Sequence, residues 1–478
     1  MSPTYPMALE TEPREVPRQR RVYFEVFGCQ MNKLDAELML EILVDAGYAL
    51  THDPQEAGVI LFNTCSIREH SEDRVYSRLG ALKPRKAREP ELIIGVLGCI
   101  AQHYQQDLMR RLPHVDLVVG TREFHRLPQL IQEARASQDP LLATELDSPL
   151  VFARQRNLGP NSHQAYLSVM RGCDQVCTYC IVPTTRGKEV SRPPEVILEE
   201  ARRLAEGGVR EVTLLGQTVN SYGKRLADGI GLHTLLYGLE EVQGIERVRF
   251  ITSHPRFMRP KLIEAMATCK KTCPYLHLPV QSGSNSCLTR MRRTYDREYY
   301  LKVVDRCRHA IDGFALATDF IVGFPGETDA EFEESLSLIR EVEFDHGYVF
   351  KYSPRPGTVA DGQPDDVPER VKKARHRILL DELQKNAEQK NRQLIGQRVE
   401  ILVVGPSKSN ATRFTGRTRD HRIVHYPAKD GPSRDGTAGG GEQAGVLLEL
   451  EIDDATAFSL SGHRPDSGSG PHANGPHC

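Results

Sequence analysis

Six of the 11 cysteines stand just past runs of β-forming apolar residues, and this placement restricts the fold more than any other feature. Val22 to Phe27 leads into Gly28-Cys29, Val59 to Asn63 into Thr64-Cys65, and Leu92 to Leu97 into Gly98-Cys99. Between the first two runs, Leu34 to Ala46 has helical periodicity and stops at Gly47. Apolar strands separated by helices predict a parallel sheet. Ligands bind such sheets at the C-terminal strand edge, where cysteines distant in sequence can converge. Any one of these cysteines alone reads as a small buried residue. Three at matching strand ends read as the ligand set of an iron–sulfur cluster.

The other three are Cys173, Cys177 and Cys180, spaced C-x3-C-x2-C in a loop after a candidate strand, Ala165 to Met170. Soft thiolates suit iron–sulfur clusters, and three of them can hold three irons of a [4Fe–4S] cube. The fourth iron is then open to a substrate or cofactor, which makes the site catalytic in character. A structural zinc site needs four closed ligands, and the nearest candidate, His163, precedes the strand. A disulfide would leave one thiol over. Cys269, Cys273, Cys287 and Cys307 lack such a pattern and read as buried bystanders, and Cys478 lies in a polar tail.

A chain of 478 residues accommodates two to four domains. Residues 1–20 read as a disordered leader without the apolar core of a signal peptide. Residues 21–135 form the first α/β unit, and 136–160 a linker. In 161–390 six strand–helix alternations predict a partial TIM-like (βα)6 barrel with its site at the strand C-termini. Its candidate strands after the first are Val212–Leu215, Val248–Thr252, Tyr275–Val280, Ala317–Val322 and Gly347–Tyr352. Residues 393–460 turn to short strands and predict a small antiparallel β-barrel, and 461–478 read as a disordered tail. The class is α/β with an appended all-β module.

The formal net charge is −2, so any preference for nucleic acid must be local. Within 407–429, Lys408, Arg413, Arg417, Arg419, Arg422 and Lys429 face one acid, Asp420, with Phe414, His421, His425 and Tyr426 interleaved. That composition suits an RNA surface, with cations for phosphates and rings for bases; the alternative is a solvated loop. No apolar run reaches about 18 residues, so no transmembrane helix is expected. With no export signal, the thiols are expected to be reduced in the cytoplasm.

The cluster loop, with Tyr179 before its third cysteine, resembles the signature of the radical S-adenosylmethionine (SAM) enzymes. The match extends over Gly28 to Asn32, Asn63 to Glu69, Gly98-Cys99, Arg171 to Pro194, Leu215 to Asn220, Leu276 to Gly283, Thr318 to Thr328 and Tyr352 to Thr358. Across nearly all of residues 21–455 the chain resembles the radical SAM methylthiotransferases, most closely the MiaB-type branch that acts on tRNA. The resemblance implies an N-terminal methylthiotransferase domain, a radical SAM barrel and a C-terminal TRAM domain. It implies two [4Fe–4S] clusters, one on Cys173, Cys177 and Cys180 that cleaves SAM to a 5′-deoxyadenosyl radical. The other, on Cys29, Cys65 and Cys99, would present the sulfur that is methylated and transferred. The implied substrate is N6-isopentenyladenosine at position 37 in a tRNA anticodon stem-loop. The electron source would be a flavodoxin- or ferredoxin-like donor, and a monomer is expected.

Softer candidates for SAM contact are Tyr179, Gln217, Asp319 and Gly323. Glu189 and Arg192 either bind the polar part of SAM or pair to stabilise the loop. Gln281 can line the pocket, and His254 is either a site residue or part of a turn. Sister enzymes acting on a ribosomal-protein aspartate or on threonylcarbamoyl-adenosine share the clusters and domains. The Gly-Cys-Gln-Met-Asn run favours the isopentenyladenosine branch, and the basic patch favours RNA over protein. A non-catalytic RNA-binding iron–sulfur sensor is the alternative from another class.

Overall fold

The computed structural model describes residues 16–66, 69–137, 139–147, 163–407, 410, 412–428 and 444–465. In the first unit, Val59–Thr64 and Ile93–Gly98 bury every residue. Strands covered on both faces carry no alternation, which is why they read as continuous apolar runs. The sheet contains β1 (Arg21–Val26), β2 (Ala49–Leu50), β3 (Val59–Thr64), β4 (Ile93–Gly98), β5 (Leu117–Val119) and β6 (Leu141–Ala143) in the order β2-β1-β3-β4-β5-β6. All neighbours are parallel. Separate apolar cores cover the two faces, one around Met39, Leu43 and Leu127, the other around Val75, Leu79 and Ile100. The strand order reverses between β1 and β3, so a crevice opens at their C-terminal ends.

The second unit supplies the six parallel strands that the strand–helix alternation predicts. β7 (Gln164–Ser168) is followed by a short antiparallel pair, β8 (Met170–Arg171) and β9 (Val190–Ser191), at the base of the cluster loop. β10 (Glu211–Leu215) lies between β7 and β11 (Arg247–Ile251). β13 (Ala315–Val322) lies between β12 (Tyr275–His277) and β14 (His346–Lys351). The two triplets join where Val248 N donates to Lys271 O and Cys273 N to Val248 O, at 2.8 and 2.9 Å. The result is an open arc with helices packed outside over residues such as Val212, Phe250 and Leu316. The bystander cysteines are buried, Cys269 and Cys307 within that core.

The third unit is a closed barrel of β15 (Arg398–Pro406), β16 (Arg413–Thr418), β17 (Ile423–Pro427), β18 (Leu447–Ala455) and β19 (Leu460–His463), ordered β15-β16-β17-β19-β18. Closure removes exposed strand edges and encloses a core of Ile401, Phe414, Val424, Tyr426 and Leu450.

Several expectations need correction. Among its described residues, the basic run at 407–429 turns most of its cations and rings into the fold rather than toward RNA. Phe414 and Tyr426 point into the barrel core. The turn between β16 and β17 inserts into the N-terminal mouth of the arc. Arg247 donates to Arg417 O (2.6 Å), and Arg249 donates to Thr418 O and Arg419 O (both 2.7 Å). Arg419 bonds Thr272 O at 3.0 Å, Arg422 pairs with Asp345 at 2.8 Å, and His421 lies 4.7 Å from the Tyr275 ring. Burying backbone carbonyls requires donors, and the arc's arginines supply them. Lys408 and Lys429 lie outside the described residues.

The first sheet also extends into the expected linker, because β6 pairs with β5. The barrel extends three residues beyond 460, because β19 completes its closure. Arg18–Arg20 of the expected leader form a 3-10 turn tied down by an Arg18–Glu89 pair at 2.6 Å. The remaining leader residues 1–15, linker residues 138 and 148–160, residues 161–162, and tail residues 466–478 with Cys478 lie outside the described residues.

Candidate cluster sites and the cavities between them

Cys29, Cys65 and Cys99 follow β1, β3 and β4, so they gather at the crevice where the strand order reverses. Gly28 makes the approach possible: its φ is +119°, and a Cβ there would stand 2.2 Å from Cys65 Cβ. Asn32 Nδ2 donates to Thr64 O (2.7 Å) and Phe27 O (3.2 Å), and Asn63 Nδ2 donates to Asn32 O (2.7 Å). These buried amides clamp the β1 and β3 ends together. The Cys29 thiol is pulled down to about 6, first by its hydrogen bond with Cys65; Arg186 adds to the effect. It is therefore available as a thiolate, the form that ligates metal. Burial pushes the Cys99 thiol up.

Arg186 comes from the second unit, six residues after Cys180. It donates to Asn32 Oδ1 (3.1 Å) and Asp35 Oδ2 (2.9 Å), while Arg171 reaches Asp35 Oδ1 at 2.7 Å. All three charged groups are buried. They fix the first sheet against the base of the cluster loop. A cavity of about 160 Å³ opens here, walled by Cys29, Cys99, Arg186, Gly216, Gln217 and Thr252.

The loop triad lies on the other side of that wall. Cys173 Sγ accepts from Gln175 N and lies against Thr218 Oγ1, both at 3.4 Å. Cys177 Sγ accepts from Arg293 Nη1 at 3.3 Å. Burial pushes the Cys180 thiol up to about 12 and raises that of Cys173. A bound metal replaces thiol protons, which offsets the cost that burial places on the Cys173 and Cys180 thiolates. A second cavity of about 150 Å³ is lined by all three, with Tyr179, His254, Gln281 and Arg293. Val182, Gln217 and Thr252 belong to the walls of both cavities.

The donor sets fit [4Fe–4S] clusters. All six cysteines are free. Among the described residues no three His, Cys, Asp or Glu side chains converge to chelate a single ion. A cube spreads its irons over separate corners, one per thiolate, so its ligands need no common centre. The cavities also suit a polar cofactor. Gln217 Oε1, Ser253 Oγ and His254 Nε2 are buried without hydrogen-bond partners. His254 Nδ1 accepts from Arg256 N at 3.2 Å, so Nε2 carries the proton of a neutral ring. Burial, then Arg293, holds that ring's pKa down at about 2.

The structure brings Tyr179, Gln217, Gln281 and His254 to the second cavity. Glu189, Arg192, Asp319 and Gly323 line neither. Glu189 is buried and accepts from Ser221 Oγ at 2.7 Å, whereas Arg192 pairs with Glu200 and donates to Ser168 O at 2.6 Å. Asp319 bonds His277 Nε2 at 3.0 Å, and His277 Nδ1 meets Thr252 Oγ1 at 3.3 Å, so Asp319 stands two contacts from the wall. Gly323 (φ +71°) is a packing glycine: a Cβ would meet Lys372 Cγ at 2.3 Å. Sequence reasoning missed Thr252, Arg186 and Arg293. Arg293 sits in Arg-Met-Arg-Arg, where nothing local distinguishes the inward arginine from its neighbours.

Residues 167–339 match the radical SAM superfamily, and residues 21–120 match Uncharacterized protein family UPF0004. A "tRNA-2-methylthio-N(6)-dimethylallyladenosine synthase" of Moorella thermoacetica is 42% identical over 92% of this chain and 97% of its own length. One from Geobacillus kaustophilus is 44% identical over 95% and 84%. The fold resembles the radical SAM methyltransferase TsrM of Kitasatospora setae (TM-score 0.53, 12% identity, 71% of this chain and 77% of that one). The chain belongs to the radical SAM methylthiotransferases, in the family of the tRNA-2-methylthio-N(6)-dimethylallyladenosine synthases.

Proposed function

We propose that the chain is a tRNA methylthiotransferase, converting N6-isopentenyladenosine at position 37 to its 2-methylthio derivative. One observation carries the reading: Cys29 and Cys99 of the first unit and Cys173, Cys177 and Cys180 of the second face cavities that share Val182, Gln217 and Thr252. The names of the relatives from Moorella and Geobacillus support the same substrate. Cys173, Cys177 and Cys180 would hold one [4Fe–4S] cluster, and Cys29, Cys65 and Cys99 the other. When bound, the first with SAM supplies a carbon-centred radical, and the second supplies the sulfur to be transferred.

The chain's residues bind, orient and exclude water. Val182, Leu215 and Ile251 give the first cavity apolar walls, which keep water from a reactive centre. In the second, Gln217 Oε1 offers an acceptor and His254 Nε2–H a donor to the polar groups of SAM. Tyr179 packs edge-on to Phe324, 6.4 Å between centroids, and keeps its loop against the barrel. The Arg171–Asp35–Arg186 network holds the two triads at a fixed separation. Proximity of this kind is what lets a group pass between two bound centres. The reading includes the anticodon stem-loop as the bound RNA segment, a flavodoxin- or ferredoxin-like electron donor, and a monomer acting in the cytoplasm. Among the described residues no helix is long and apolar enough to cross a membrane.

Mass spectrometry of tRNA nucleosides from cells lacking the gene tests this. The methylthio derivative should vanish and N6-isopentenyladenosine accumulate. Loss of a methylthio group from a ribosomal-protein aspartate or from threonylcarbamoyl-adenosine, with this nucleoside unchanged, would sink it.

A further inference from the structure

Arg293 lies in the segment after the helix Asn285–Arg290 and turns inward onto the loop triad. Its Nε donates to Tyr295 Oη (2.8 Å), its Nη2 to Pro279 O (3.3 Å), and its Nη1 to Cys177 Sγ (3.3 Å) and Tyr179 Oη (3.4 Å). The Tyr295 hydroxyl lies 2.9 Å from Val280 O, so the group that aims the guanidinium is itself anchored. Among the described residues no carboxylate pairs with Arg293. Beside the Cys177 and Cys180 thiols, the ionisable groups around it are Tyr179, Tyr295 and His254, and the neutral His254 supplies no counter-charge. A guanidinium on a cavity wall, aimed by a fixed hydroxyl and left without an anion, is an arrangement that awaits negative charge.

That charge is at hand on the sulfur it touches. Hydrogen bonds to cluster sulfurs and nearby charge set the reduction potentials of iron–sulfur centres. Each added electron makes the sulfur set more negative, and a cation in hydrogen-bond contact gains attraction with it. We propose that Arg293 is a positioning residue that raises the reduction potential of the cluster on Cys173, Cys177 and Cys180, through a charge-assisted hydrogen bond to the Cys177 sulfur. The electron comes from the proposed flavodoxin- or ferredoxin-like donor, which is oxidised by one electron as the cluster is reduced by one. The proposal rests on the cluster assignment above. It explains why a cation without a carboxylate partner lines the cavity of the loop triad.

The test uses the full-length chain carrying Cys29→Ala, Cys65→Ala and Cys99→Ala, so that one cluster remains. It is reconstituted without oxygen and titrated with dithionite in the absence of SAM, with the reduced cluster followed by electron paramagnetic resonance. Arg293→Gln should keep the parent's iron content but lower the equilibrium constant for reduction at least tenfold, about 59 mV for a one-electron couple. Arg293→Lys keeps the charge without the planar fork and should fall between. If Arg293→Gln does not load iron, Tyr295→Phe, which removes the acceptor aiming Nε, should shift the midpoint in the same direction. A loaded Arg293→Gln chain with the parent's midpoint, or Arg293→Lys shifted as far as Arg293→Gln, overturns the proposal. A parent chain that takes up no four-iron cluster would instead defeat the assignment beneath it, so the two failures are distinguishable.

Discussion

Cys29 and Cys180 show how much a residue's surroundings decide. Hydrogen bonding with Cys65 holds one thiol at about 6, and burial drives the other to about 12. Because the triads stand on different sheets, their losses should separate. Cys99→Ala should cut iron from about eight to about four per chain. It should still release 5′-deoxyadenosine from SAM while making no methylthio nucleoside. Cys180→Ala should abolish both products, and iron analysis with chromatography checks each. Asp35 answers two buried arginines at once, so Asp35→Ala removes the carboxylate they share. The expected cost is about 3–5 kcal/mol, read from denaturant midpoints. The cysteine triads were legible in sequence because one residue type recurs at matching strand ends and at close spacing in one loop. Arg293 and Thr252 were not, since a wall residue is chosen by position, and position comes from packing.

At the scale of elements, the helix Asp329–Val342 follows local chemistry closely. Thr328 caps it and accepts from Glu331 N, while Glu331 answers Thr328 N. Burial opposes the charge on Glu331, but the two-pronged Arg290 contact (2.8 and 2.9 Å) and the cap bond bring its pKa to about 2. A folded value below the unfolded one means that the contribution is present above about pH 4.3 and fades as pH falls toward 2. It should amount to about 2–3 kcal/mol at neutral pH. Urea unfolding across pH 2–6 should show that slope in the parent and a flatter one in Glu331→Gln. The strands of the first two sheets emerged from apolar runs because both faces are covered. β6 and β19 escaped: each has three or four residues, and β19 reads Leu-Ser-Gly-His. Such segments become strands only because a neighbour offers a free edge.

The largest departure belongs to the whole molecule. A basic, aromatic-interleaved run has the composition of an RNA surface, yet its turn stops the lower mouth of the arc. Replacing Arg417 and Arg419 by Ala should therefore leave the salt dependence of tRNA binding unchanged. Two lost phosphate contacts would reduce the slope by about two. The substitutions should instead lower stability by about 1–3 kcal/mol, since buried carbonyls and rings lose their packing. Binding measured across a salt series, beside unfolding curves, decides between these outcomes.

Residue type and spacing by themselves determined that six cysteines fall at strand ends and in one short loop, the parallel sheets that carry them and the arc-plus-barrel plan. Thiolate chemistry and strand periodicity are local properties, written into a few consecutive positions. Tertiary structure alone decided that the cavities beside the two triads share a wall, that Arg186 and Arg293 turn toward sulfur, and that the basic turn is buried. Those outcomes depend on which faces meet, and chains distant in sequence settle that by burying apolar surface and satisfying every buried polar group.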